Sequence, residues 1–348
     1  MKFNLKIVFF AILSIIVSCV PQELDNIQAF RYKFPELDEV KPLPIVELTL
    51  PPEVKVSFGE ILIGIPADEL VTDVVAAVID EDISDINLAV IDDFSTISPE
   101  ISTDDLKERV NEEWIMGVLS GIIQPASDFI LIAEIFKNDP DKAKYLSQIE
   151  FPEIDGFIVN GRIKFPELIP KTIPKPETLR ISTLVTPCKE AAEELYLQNI
   201  DELEQQAVQQ NAQVLQYYDL LRNKAISEYN QRILDEEKII ADNLERFYEF
   251  VVFFNAAVDA LVYPDEVKRG LKIYIIAYVI QLRDQIIAYD NSYDLAIILE
   301  RDRKLELIKF EQSDVEFSIR DNLNNAMEEQ KTIYNTAANN CHNQGAGG

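Results

Sequence analysis

Between Cys188 and Cys341 the chain contains a single proline, Pro264, and a single glycine, Gly270. Proline removes a backbone donor and glycine weakens helical order, so a stretch this long and nearly free of both reads as helix. Pro264 lies midway between the two cysteines. That position predicts two long helices folded back on one another, with the cysteines brought together at the open end. Each arm holds about 75 residues, or roughly 110 Å at 1.5 Å per residue. The alternative is a shorter three- or four-helix bundle, broken at Asn223, Asp290-Asn291-Ser292 or Gln312-Ser313.

The hairpin fixes its own register. If the cysteines meet, Leu203 faces Ala326, Val214 faces Val315, Phe247 faces Leu282 and Phe254 faces Ile275. Apolar positions 203, 207, 214, 218, 221 and 225 step mostly by threes, fours and sevens, as a coiled-coil-like seam requires. Gln205, Gln206, Gln209, Gln210 and Gln213 form a polar segment, read as a solvated face or as buried amides that set register. A Cys188–Cys341 disulfide would close a loop of about 150 residues and contribute at most on the order of 5 kcal/mol in the chain-entropy account.

The first half has a different character. Prolines 21, 35, 42 and 44 make residues 19–44 read as a tether, or as a segment whose Phe30, Tyr32 and Phe34 pack onto the body. Residues 45–187 read as a small α+β module. Its strands are expected at 45–50 and 54–58, with a third apolar run at 60–65, and its helices at 68–79, from 103 to about 124 and over 127–136. Ser102 is the expected cap of the helix starting at Thr103, with Leu106, Val110, Trp114 and Val118 on its apolar face. Asn160-Gly161 signals a tight hairpin between 157–159 and 162–165. A last strand is expected near 179–185. The fold class is therefore mainly α: a long antiparallel helical hairpin or coiled-coil-like bundle over 188–341, a smaller α+β N-terminal module, and a short tail at 342–348.

Residues 1–18 combine Lys2 and Lys6 with an apolar core at 7–17, too short to span a bilayer. Ile16-Val17-Ser18-Cys19 follows and resembles the lipobox of bacterial lipoproteins. The resemblance covers the leader only. It implies cleavage after Ser18, lipid on Cys19, and residence at the outer membrane, on its periplasmic or surface side, because Val20 stands where Asp directs inner-membrane retention in enterobacterial lipoproteins. An exported chain meets an oxidising compartment, which favours the Cys188–Cys341 bond.

The net charge of -29 argues against nucleic acid as a partner. The sequence offers no metal-ligand spacing and no phosphate-binding glycine loop, and its one histidine, His342, stands in a polar tail. No catalytic, metal or cofactor site is expected. The Pro264 end is apolar nearly all round. Phe250, Phe253, Phe254, Ile275, Ile276 and Val279 form a surface that something must cover: the N-terminal residues, a second copy, a protein partner or lipid. The reading is a lipid-anchored, non-enzymatic interaction or scaffold protein that uses this end as its contact surface. Two alternatives stay open. One is a membrane-inserting, permeabilising protein, which in architecture alone resembles helical pore-forming toxins. The other is a carboxylate hydrolase within 45–187.

Overall fold

The computed structural model describes residues 32–59, 78, 88–146, 149–161, 163–172 and 186–343. Outside the described residues lie the leader with Cys19, the run at 60–65, all but one residue of the helix expected over 68–79, the strand expected at 179–185 and the residues from 344 on. In chain order the elements are β1 (Val56–Ser57), α1 (Leu88–Ser95), α2 (Thr103–Arg109), α3 (Glu112–Leu119), α4 (Ser127–Asn138), α5 (Pro140–Ala143), β2 (Glu153–Ile154), β3 (Phe157–Ile158), α6 (Pro187–Ala260) and α7 (Asp265–Asn339). A 3-10 turn, Asn340–Asn343, closes the series.

The expected hairpin is present. Helices α6 and α7 have 74 and 75 residues and pack against each other. Pro187 opens α6, where a missing N–H costs nothing, and the Thr186 hydroxyl accepts from Lys189 N. Pro264 separates the helices, and Asp265 and Glu266 place negative charge at the start of α7. The possible break points are helical, and at two of their residues the polar side chain bonds back to the helix itself. Asn291 Nδ2 donates to Ile287 O and Ser292 Oγ to Ala288 O.

The buried stripe has a period of eleven. On α6, Ala192, Leu203, Val214, Ala225, Glu236, Phe247 and Val258 are buried; on α7, Ile275, Ile286, Ile297, Ile308, Ile319 and Gln330 are buried. Eleven residues in three turns is about 3.67 per turn, close to a straight helix, so the stripe drifts more slowly than a heptad stripe and in the opposite sense. Cys341 continues the second series, eleven residues after Gln330. Cys188 and Cys341 are bonded, with Cα atoms 5.7 Å apart.

The chain forms two compact units, and both long helices contribute to each. The first contains residues 32–46, 187–212 and 317–343. Here the expected tether is docked. Phe34 and Leu37 are buried with Cys188 and Ala192 and pack against Tyr334 and Ala337. Proline keeps this segment out of helix, so its backbone polar groups need other partners. The glutamine face supplies them. Gln206 Oε1 accepts from Leu43 N at 2.8 Å, and Gln210 Nε2 donates to Pro44 O at 3.2 Å. Buried Asn199 donates to Leu37 O and to Gln330 Oε1.

The second unit contains the described residues of 47–172 together with 213–316. The described residues 88–146 share one core with the second unit's parts of α6 and α7. Residues 45–55 form no strand. Thr49 bonds instead to Glu311 Oε2 and accepts at its carbonyl from Tyr218 OH. The sheet is small and antiparallel, in the order β1-β2-β3. Its tight turn is Asp155-Gly156, not Asn160-Gly161. Both residues have positive φ, 50° and 86°, as a two-residue type I′ turn demands. Asp155 also exchanges two bonds with the Lys55 backbone, which locks β1 onto the turn.

Unreduced protein will show no free thiol at Cys188 or Cys341. The double variant Cys188→Ser/Cys341→Ser will unfold at lower urea, by up to about 5 kcal/mol. An unchanged midpoint would show that the stripe alone sets the stability.

Candidate interaction surface

The Pro264 end of the hairpin is covered by the chain's own small helices. Ser102 Oγ caps α2 by accepting from Asp105 N at 3.1 Å. The single helix expected from 103 is broken at Val110, and Asn111 Oδ1 caps α3 by accepting from Trp114 N at 2.9 Å. Leu106, Val110, Trp114 and Val118 nevertheless all face inward. They share a core with α6 and α7 that includes Phe94, Phe129, Phe136 and Tyr274. The Phe94 ring stacks on Tyr274 with centroids 5.6 Å apart, and Trp114 meets Phe129 edge-on at 5.3 Å.

The six residues expected as a contact surface are mostly spent on this core. Phe254, Ile275, Ile276 and Val279 are buried. Phe250 is partly buried and stacks on Phe254. Only Phe253, 54% exposed, faces solvent. The physical reason is the run 271–280, where every residue is buried. A helix apolar on all sides must be enclosed on all sides, and residues 88–146 supply the enclosure.

Gly270 makes the close approach possible. A Cβ there would overlap the carbonyl oxygen and side chain of Ile91 on α1. Next to it, Lys272 is 1% exposed. Its ammonium pairs with Asp259 at 2.9 Å and donates to Asn255 Oδ1, while Asn255 Nδ2 donates to Val110 O. Burial lowers the Lys272 pKa, against the pull of Asp259. One ion pair therefore ties α6, α7 and the end of α2 together.

Sequence reasoning missed a carboxylate cluster on the hairpin. Glu236 is 5% exposed, and its Oε1 has no hydrogen-bond partner. Burial comes first in pushing its pKa up to about 8, followed by Asp294, which also hydrogen-bonds to it, and by Asp290 and Glu237. Asp290 is raised too, by burial and by Asp294. Glu300 is equally buried but has cations, with Lys304 Nζ at 2.7 Å and Arg232 Nε at 3.8 Å. The signal in the sequence was the stripe itself, because Glu236 occupies an eleven-residue position.

One open groove of about 270 Å³ lies among Leu50, Pro52, Val54, Leu221, Ala225 and Ile308, with Lys224, Glu228 and Lys304 also lining it. Lys304 is already held by Glu228 and Glu300. Within 45–187, Asp92 and Asp93 are exposed, and Asp93 pairs with Lys142 at 2.9 Å. Asp80-Glu81-Asp82 lies outside the described residues. Among the described residues no group of three or more His, Cys, Asp or Glu side chains is arranged to hold a metal ion, and no helix is long and apolar enough to cross a membrane. No protein-family model, curated protein or solved structure matches the chain.

Two outcomes are expected. Gly270→Leu will force α1 away, cost about 1–3 kcal/mol, and red-shift the fluorescence of Trp114, the single tryptophan; unchanged emission would show that α1 has room. Glu236 binds its proton more tightly folded than unfolded, so it adds stability below about pH 4.5 that is lost as pH rises through about 8. Glu236→Gln will therefore flatten urea midpoints measured from pH 5 to 9 and raise them most at pH 9. Equal slopes in both proteins would show that Glu236 titrates normally.

Proposed function

We propose that this chain is an exported, lipid-anchored protein of the bacterial outer membrane, held through Cys19, with a non-enzymatic binding or scaffolding role. The observation that supports this reading is the bond between Cys188 and Cys341. Such bonds persist outside the reducing cytoplasm, which agrees with the lipobox-like leader on grounds independent of it. The partner is another protein or a second copy of the chain. A surface this acidic repels nucleic acid.

The contact surface is not the apolar core of the hairpin end, which the small helices already fill. Phe253 on α6, with Met116 on α3 and Leu131 on α4, remains exposed. With Ile122 and Val262, also exposed, they are among the apolar side chains this part of the chain offers to a partner.

Insertion into a membrane is the competing reading, favoured by the buried run 271–280. Lys272 within that run and the enclosure by residues 88–146 weigh against it. An alkyne-tagged fatty acid fed to expressing bacteria will label the wild-type protein, and Cys19→Ala will lose both the label and the membrane fraction. Labelling that persists in Cys19→Ala would overturn the anchor. The acyl-free protein will leave dye-loaded vesicles intact, and rapid leakage would favour insertion.

A further inference from the structure

We propose that the disulfide-bonded end of α6 and α7 is the face of the first unit held against the lipid surface. The proposal rests on lipidation of Cys19 and adds to it a geometric constraint. Had residues 19–44 been a free tether, that unit could stand anywhere within a broad radius of the membrane. The tether is instead docked from Tyr32 onward, with Phe34 and Leu37 buried against Cys188 and Ala192 and packed against Cys341. The described part of the N-terminal segment therefore begins beside the disulfide. Cys19 and Tyr32 are 13 residues apart. Fully extended, that length spans at most about 45 Å, so the disulfide lies within that distance of the acyl chains.

The direction of departure adds to the argument. After Leu37 the segment runs along α6 toward higher residue numbers, bonded to Asn199 at Leu37, to Gln206 at Leu43 and to Gln210 at Pro44. The anchor is attached at the Cys188 end of this stretch and not at its Ala212 end. Residue 208 lies about 27 Å further along the helix than residue 190, at 1.5 Å per residue.

Charge does not hold this face to the membrane. Over 187–212, α6 carries Glu190, Glu193, Glu194, Asp201, Glu202 and Glu204 against Lys189 alone. Anionic headgroups repel it. The short docked tether imposes the proximity, and the unanchored protein has no affinity for the same bilayer.

The test uses full-length acylated protein in neutral phosphatidylcholine vesicles that contain a headgroup-labelled acceptor lipid. A donor fluorophore is carried on an unnatural amino acid at Glu190 or Val208, both exposed. Energy transfer will be at least twofold stronger from position 190. Phe34→Asp/Leu37→Asp, checked for an intact disulfide by its lack of free thiol, will undock the segment and erase the difference. Cys19→Ala protein will show no transfer from either site. Acylated protein with equal or stronger transfer from 208 overturns this inference alone, as does a difference that survives undocking. A mass spectrum with no acyl group on Cys19 overturns the inference and the anchor together.

Discussion

The burial of one side chain every eleven residues along α6, answered by the same spacing on α7, is the constraint the rest of the molecule obeys. It lets two helices of 74 and 75 residues keep one face inward with less drift per residue than a seven-residue repeat produces. Cys341 falls on this lattice, while Cys188 stands four residues before Ala192 and outside the series on α6. The bond restricts the unfolded chain, and the stripe decides which partner positions meet.

A two-helix pair covers only one side of each helix, and the chain solves the remaining exposure differently in its two units. In the first, an extended segment is laid against the helices and its backbone is satisfied by Asn199, Gln206 and Gln210. In the second, α7 is apolar on every side over 271–280, and short helices enclose it. Gly270 and Lys272 mark the place where that enclosure is tightest. The first lacks a side chain so that Ile91 can approach, and the second brings a charge that only Asp259 and Asn255 make tolerable.

The hairpin was legible because it rests on an absence: one proline and one glycine in a long stretch leave helix as the only regular structure. The disulfide followed from the position of Pro264. The end cap at Ser102 was legible from local chemistry. What the sequence concealed was long-range. Alternation at 45–50 looked like a strand, but the Thr49 carbonyl accepts from the Tyr218 hydroxyl and the Thr49 side chain bonds to Glu311, so these contacts run to side chains of the long helices. Asn160-Gly161 and Asp155-Gly156 carry the same turn signal, and only pairing with β1 selects the second. The six apolar residues near Pro264 read as a docking surface because nothing in their own segment reveals that residues 88–146 come back to cover them. Glu236 was invisible as an isolated acid, since its altered proton affinity arises first from burial by the fold and then from Asp294 and Asp290, 58 and 54 positions away.

The docked segment at 32–46 also has a mechanical consequence. Its attachments to α6 are arranged in series along an extended backbone: the Phe34 and Leu37 side chains first, then the amides that hold Leu37, Leu43 and Pro44. A pull applied at the N-terminal side loads the first attachment alone until it yields, then passes to the next. Such a strap yields one attachment at a time and never resists with their combined strength, whereas the covalent clasp between Cys188 and Cys341 keeps the helices underneath from parting as it does so.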